Sequence, residues 1–455
     1  MKKNKYLIEE NKSIRDCLES ININQNGIVF IVNSQNQVIG VATDGDIREH
    51  LLSGSQLEDS ISGIFNKEFI WAGLNTSREE ILKRLDKDIR AIPILNENKE
   101  LVDIATRDEI PLSYEKDIFI RSKSPVRVTF GGGGSDLSHF FSEYSGAVIN
   151  ATISLYSHAT LKIRPDKKIK ISSLDLNDQV EVENLDDLFK VSDNFNLFKS
   201  LLKTIKPEVG FELYVHSDFP PGSGLGGSSV VSAAVLGCFN ELRKDKWDAH
   251  ELSELAFQAE RLYMDIAGGW QDQYATVFGG FNFMEFKENQ NIIHPLRISQ
   301  QTILELEESL LLYKVGEEGR SSGKIHKDQK KSMQSASVKK KVNEAVKICF
   351  ETRDHLLRGR LIEFGRSLDK AWQLKRQFST KISNAYIDEI YEFAMKSGAI
   401  GGKLLGAGGG GYFLFFVDSF NKHSFIKEMK TKNLYHTPFQ FDHKGTQSWT
   451  VRDKT

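Results

Sequence analysis

The stretch from Phe211 to Asn240, FELYVHSDFPPGSGLGGSSVVSAAVLGCFN, constrains this chain more than any other. It reads as a strand, a Pro-Gly-Ser loop and an apolar helix. Gly222, Gly224, Gly226 and Gly227 let the loop turn tightly with its N–H groups pointing inward, and the helix that follows adds its positive end at the same place. Pro220 and Pro221 fix the entry to the turn. Ser228 and Ser229 open the helix with hydroxyls placed for a phosphate oxygen or a phosphate-bound cation. The element is expected to cradle phosphate.

Gly222, Gly224 and Gly227 also satisfy G-x-G-x-x-G, a pattern shared by dinucleotide-binding folds and protein kinases. A dinucleotide fold requires a second strand ending in an acidic residue roughly 20 positions on. Asp248 to Asp265 reads instead as a helix with Leu252, Leu255, Ala256 and Leu262 on one side. The Walker Gly-Lys-Ser/Thr signature is absent, as are the His-Arg-Asp and Asp-Phe-Gly triplets of protein kinases, so both classes are excluded.

The 455 residues correspond to roughly three domain-sized units. With 60 basic and 62 acidic side chains the formal net charge is −2, which gives no general attraction to nucleic acid or an anionic membrane. Cys17, Cys238 and Cys349 are widely spaced and form no C-x-x-C, as expected of a reducing compartment. The N-terminal MKKNKYLIEENK has no apolar core of a signal peptide and no run approaches the length of a membrane span, so the expected location is cytoplasmic.

An internal repeat occupies the first part of the chain. IVFIVNSQNQVIGVATDGDI at Ile28 to Ile47 recurs loosely as IPILNENKELVDIATRDEI at Ile92 to Ile110, with Ala42-Thr43 matching Ala105-Thr106. Each copy reads as strand, polar turn, strand, then Thr and an acidic residue opening a helix, with a further helix ahead of it at Ser13 to Ser20 and Ser77 to Leu85. After a link around Pro111 to Lys123, a second body begins with a strand running into the tetraglycine of VRVTFGGGGSD, where Asp136 can accept from two adjacent hydroxyls of a ligand lying on the backbone. Glu260, on a helix, can neutralise magnesium together with Ser228. Asp272, in a Gly-Gly-Trp-Gln-Asp-Gln turn, can face a substrate hydroxyl. A third glycine loop, Gly406 to Gly411, enters the apolar strand Tyr412 to Val417. Lys314 to Lys341 holds seven lysines from Lys324 onward and reads as a solvated charge run or a lid over a bound phosphate.

The N-terminal repeat resembles a tandem cystathionine-β-synthase-type (CBS) module. Its TDGDIREHLLSG at Thr43 to Gly54 is similar to the form fused to bacterial sugar nucleotidyltransferases. The resemblance implies that Thr43 and Asp46 hold the phosphate and ribose of an adenine nucleotide or a nucleotide-sugar. Thr106 corresponds in the second copy, where Glu109 replaces the Asp.

SPVRVTFGGGGSD, PPGSGLGGSS and LLGAGGGGYF resemble, in order, the three motifs of the galactokinase, homoserine kinase, mevalonate kinase and phosphomevalonate kinase (GHMP) superfamily. SGAVINATIS, GGWQDQYATVFGGFNFMEF and AWQLKRQFSTKISNAYIDEIY are most similar to the D-glycero-D-manno-heptose 7-phosphate kinases, which phosphorylate an anomeric hydroxyl. The implied fold is α+β: a two-lobed kinase, with a ribosomal protein S5-like N-lobe over 118–310 and a ferredoxin-like C-lobe over 311–455, preceded by an α/β CBS pair over 1–117.

The same resemblance implies ATP binding by Pro221, Gly222, Ser223, Gly224, Leu225, Gly226, Gly227, Ser228 and Ser229, magnesium on Ser228 and Glu260, and catalysis by Asp272 with Arg127. Substrate contacts are implied for Gly133, Gly134, Ser135, Asp136, Gly408 and Gly409. In AWQLKRQF, the helical spacing puts Trp372, Lys375 and Arg376 on one face, an aromatic wall with two cations for a sugar's far phosphate. The expected reaction takes ATP with Mg2+ to a sugar phosphate, or to a free sugar such as fucose or galactose. A catalytically weak nucleotide sensor remains the alternative of another class, and a homodimer stays open. Two departures stand out. Gly227 replaces a serine common in GLGSSS, and Trp270 replaces a lysine that often precedes Gln-Asp-Gln.

Overall fold

Each N-terminal copy carries a serine-capped helix ahead of its hairpin, and the first ends in a second capped helix. In the first, Ser13 caps the helix Ile14–Asn24 through a reciprocal box with Asp16, and Thr43 caps Asp44–Leu52 through the same box with Asp46. Leu7–Glu9, ahead of both helices, lies parallel to Ile28–Val32, which runs antiparallel to Val38–Thr43. The second copy repeats this with Ser77 capping Arg78–Arg84, and Ala72–Gly73 parallel to Ala91–Leu95, itself antiparallel to Leu101–Thr106. The registers coincide: Ile28 opposes Thr43, Ala91 opposes Thr106, and both hairpins turn on a residue at φ 62°, Asn36 and Lys99. Tyr6, Phe30, Val32, Val38, Ala91 and Leu95 share one core, and a bridge joins Gln37 to Glu100, so neither copy buries its apolar face alone. No helix opens at Thr106 among the described residues. There the Thr106 hydroxyl accepts the Glu109 N–H at 3.2 Å.

This computed structural model describes residues 3–85, 89–107, 109–110, 118–192, 194–264, 267–316, 325, 328–329, 331–332 and 335–452. The chain forms two units, one reaching to Ile118 with Arg452–Thr455, the other Phe119–Val451. The expected link at Pro111 to Lys123 is corrected in part: the strand Ile118–Gly131 already contains Ile118 to Lys123. Most of the expected lysine-rich lid lies outside the described residues. Lys314 itself sits in the strand Leu310–Val315, and Lys339, Lys340 and Lys341 in the helix Ala336–Leu357.

In the second unit, Gly146–Arg164 organises a nine-stranded sheet. It pairs with Ile118–Gly131, Gly210–Ser217, Phe281–Phe286 and Phe441–Asp442. The helices Asn196–Ile205, Gly227–Leu242 and Ala249–Phe257 cover one face around Phe195, Leu201, Leu213, Val235 and Ala256. A four-stranded antiparallel sheet, ordered Ala399–Leu404, Gly411–Val417, Leu310–Val315, His436–Thr437, forms the C-terminal lobe with the helices Ala336–Leu357, Leu361–Lys375 and Ala385–Lys396. Its core includes Trp372, Tyr391, Phe413, Phe415 and Phe425. The architecture is the expected α+β kinase fold behind a CBS pair. No helix among the described residues is long and apolar enough to cross a membrane.

Candidate active site

The loop from Pro221 ends at Gly226, which sits at φ 85° as the N-cap of Gly227–Leu242 and offers no side chain to the first-turn N–H groups. Those donors and the helix dipole therefore face the cavity beside the loop. That cavity, about 430 Å³, is lined by apolar Leu176, Leu197, Phe198, Val215 and Phe219 and by Pro221, Gly222, Ser223, Gly224, Gly226, Gly227 and Ser228 of the loop. Leu225 and Ser229 do not line it. Leu225 is fully buried and anchors the loop in the core, while the Ser229 hydroxyl donates to Glu260 Oε2 at 3.1 Å.

Glu260 reaches this spot because the helix loosens. Past Phe257 the chain continues as a π-helix, Gln258–Tyr263, whose wider turn points Glu260 inward. The carboxylate is fully buried and accepts from Ser228 Oγ at 2.7 Å and Gln273 Nε2 at 3.2 Å, with Arg261 Nη1 at 3.6 Å. Burial raises it above the usual carboxylate range despite Arg261. The same π turn corrects the reading of Leu262. Its phase shift leaves that side chain 70% exposed instead of on the apolar stripe.

Asp272 lies at the wall between the large cavity and a smaller one of about 30 Å³, and Arg127 and Gly406 line both as well. Arg127, 3% exposed, donates from Nε to Asp272 Oδ1 and from Nη1 to the Gly224 carbonyl, each at 2.8 Å. The smaller cavity adds Gly133, Gly134, Asp136, Gln271, Gln329 and Lys375. Asp136 accepts the Gly134 N–H at 3.0 Å and the Gln271 N–H at 3.4 Å. Burial first, then the charge of Asp272, pushes it upward from the ordinary range. A carboxylate so placed keeps lone pairs for sugar hydroxyls.

Several expected contacts fall elsewhere. The Ser135 hydroxyl is buried within reach of the Gly132 and Ala147 carbonyls, at 2.8 and 3.0 Å, and accepts the Ala147 N–H at 3.1 Å, which makes it a latch of the tetraglycine turn. Gly408 and Gly409 line neither cavity; they pack on Ile382, whose carbonyl accepts the Gly409 N–H at 2.8 Å, and Gly406 faces the site in their place. Trp372, Lys375 and Arg376 do not act together. Trp372 is a fully buried core residue, Arg376 pairs with Asp388 at 2.7 Å, and only Lys375 reaches a cavity. Arg261, Thr129 and Gln271 are functional candidates that sequence reasoning missed. Each had a signal, its place near a residue the motifs single out: Arg261 beside Glu260, Gln271 beside Asp272, Thr129 two residues after Arg127.

A separate cavity of about 400 Å³ lies in the N-terminal unit, lined from the first copy by Gly27, Thr43 and Asp44 and from the second by Phe69, Ile70 and Arg90. Thr43 lines it. Asp46 does not, because its carboxylate accepts the N–H and hydroxyl of Thr43, at 2.9 and 2.7 Å, to cap the helix; Thr106 is absent from the lining too.

A glycine cradle at a helix N-terminus, an acid-arginine pair at the wall between two cavities and a carboxylate in the smaller one define an ATP-dependent sugar kinase. The chain belongs to the GHMP kinases. Residues 196–280 match the GHMP kinases N terminal domain and 352–435 the GHMP kinases C terminal, while 1–53 and 61–110 match the CBS domain. The D-glycero-alpha-D-manno-heptose 7-phosphate kinase of Campylobacter jejuni is 36% identical over 338 residues, covering 73% of this chain and 99% of that protein. The crystal structure of a D-glycero-D-manno-heptose 1-phosphate kinase from Bacteroides thetaiotaomicron superposes with a TM-score of 0.61 at 29% identity, over 73% of this chain and 99% of that one. Lactococcus lactis galactokinase complexed with galactose shares the fold, with a TM-score of 0.59 at 20% identity over 73% of this chain and 95% of its own.

Proposed function

We propose that this kinase phosphorylates the anomeric hydroxyl of D-glycero-D-manno-heptose 7-phosphate, giving the 1,7-bisphosphate for nucleotide-activated heptose synthesis. The observation that carries the reading is the position of Asp272, held by Arg127 where the nucleotide cavity meets the acceptor cavity. The N-lobe over 118–310 brings the cradle and the acid, and the C-lobe over 311–455 closes the acceptor side.

In this reading ATP lies with its base among Leu176, Leu197 and Phe198 and its phosphates along Gly222 to Ser228. Asp136 orients the sugar. Asp272 Oδ1 stays with Arg127, and Oδ2 takes the proton of the anomeric hydroxyl as that oxygen bonds to the γ-phosphorus and the bond to ADP breaks. Glu260 and Ser228 fit a hard divalent cation, since a buried carboxylate beside a hydroxyl at the phosphate end is an oxygen donor set with the remaining positions left to phosphate and water. Magnesium bound there would neutralise phosphate charge. The N-terminal cavity is assigned to an adenine nucleotide or nucleotide-sugar that modulates the kinase, held near Thr43.

The test is a panel of sugars and sugar phosphates with ATP and Mg2+, read by phosphorus NMR. A new anomeric phosphate on heptose 7-phosphate is expected, and Asp272→Asn should lower kcat by roughly 10²–10⁴-fold. Turnover of free fucose or galactose alone would overturn the substrate assignment. An unimpaired Asp272→Asn would remove Asp272 as the base.

A further inference from the structure

Lys375 ends the helix Leu361–Lys375 and is 7% exposed, and among the described residues it has no ion-pair partner. Its ammonium donates instead to the carbonyl of Gly406 and, at 3.4 Å, to that of Leu404. Arg127 does the matching thing on the other lobe, donating to the Gly224 carbonyl at 2.8 Å. The two carbonyl-bearing glycines abut, for a Cβ on Gly406 would stand 2.4 Å from the Gly224 oxygen. Each buried cation thus holds its own glycine loop where the two loops abut, and both cations line the acceptor cavity with Asp136 and Asp272.

An ammonium has three donors. Two carbonyls take two, and the third is left to the contents of the cavity. A buried cation with only neutral partners is costly until an oxygen-rich ligand completes its shell. We propose that Lys375 is a catalytic residue of the acceptor site, donating its third N–H to a sugar oxygen beside the phosphorylated hydroxyl while its other bonds hold the Leu404 and Gly406 carbonyls. The proposal rests on reading the smaller cavity as the acceptor site. It replaces the expectation that Lys375 and Arg376 jointly hold a distant phosphate.

The charged groups facing this amine are Arg127, Asp136 and Asp272, with Lys403 behind it. Burial, then Arg127, lowers Lys375 to about 8, against the opposing pull of Asp136 and Asp272, while burial and Lys375 hold Lys403 well below its ordinary range. The contact needs the protonated amine, so kcat/KM for the sugar falls as pH rises through about 8.

The experiment compares wild type, Lys375→Met and Lys375→Arg in the full chain, with the sugar that the wild type uses best in the panel. A wrong sugar therefore sinks the substrate reading and leaves this test intact. Lys375→Met should lose roughly 10–150-fold in kcat/KM for the sugar, the scale of one charged hydrogen bond, with ATP KM changed by less than about threefold. Lys375→Arg should restore part of the rate and move the basic limb to higher pH, since a guanidinium stays charged. Circular dichroism establishes that each variant is folded. A Lys375→Met enzyme within threefold of wild type, or a basic limb that stays near 8 in Lys375→Arg, overturns the proposal.

Discussion

Gly268 and Gly269 have no side chain where two functional groups need the space. A Cβ at 268 would stand 2.4 Å from Arg261 Nη2, and one at 269 would stand 1.8 Å from Asp136 Oδ2. The guanidinium is the far end of a flexible chain and can move. The Asp136 carboxylate is held by the Gly134 and Gln271 N–H groups and cannot shift without losing them. Gly269→Ala should therefore raise the sugar KM by roughly 10-fold or more, as expected for a charged hydrogen bond lost, with ATP KM nearly constant. An unchanged sugar KM in a folded Gly269→Ala enzyme would show that Asp136 does not hold the sugar. The sequence made Asp136, Glu260, Asp272 and Arg127 legible because each lies in a glycine-rich or motif-bearing segment. It could not show that Ser135, Gly408 and Gly409 face inward on the fold, because motif membership says nothing about which side of a loop meets the ligand.

Among the elements, the π turn Gln258–Tyr263 shows where periodicity ends as a guide. A strict 3.6-residue reading carries Leu262 to the same stripe as Leu252 and Leu255. One wider turn rotates everything after it, so Glu260 points into the site and Leu262 into solvent. Leu262→Ser should consequently change unfolding free energy by no more than about 0.5 kcal/mol, whereas a core leucine truncated to alanine costs about 2–5 kcal/mol. Chemical denaturation of Leu262→Ser beside Leu201→Ala measures the contrast, and a large loss in Leu262→Ser would mean that the helix keeps α phase. Elsewhere the pattern was a sound guide. The repeat was visible because both hairpins carry the same register and end in a threonine, and the phosphate loop because its glycines, prolines and serines all serve one turn. The start of the strand at Ile118 was hidden by Arg121 and Lys123, polar residues on the outer side of a sheet whose inner side holds Ile120 at 2% exposure.

For the whole molecule the two units each carry a cavity of nucleotide size, about 430 Å³ beside the glycine cradle and about 400 Å³ within the CBS pair. Their chemistry differs. The kinase cavity has a helix N-terminus and the acid-arginine pair, while the CBS cavity offers Thr43, the Phe69 ring and the Arg90 guanidinium, which would sit 3.5 Å from a Cβ on Gly27. Asp46 is withdrawn into a cap, so Arg90 is the group there best suited to a phosphate. The full chain should bind two adenine nucleotides, one per unit, and equilibrium dialysis with a non-hydrolysable ATP analogue counts them. Arg90→Glu reverses the charge in one cavity and should reduce the count from two to one. Gly226→Val forces a β-branched residue into φ 85° at the N-cap and should remove the other. If the wild type binds a single nucleotide and Arg90→Glu leaves that one in place, the N-terminal cavity holds no adenine nucleotide, and the search for its ligand moves to the sugar product or its nucleotide-activated form.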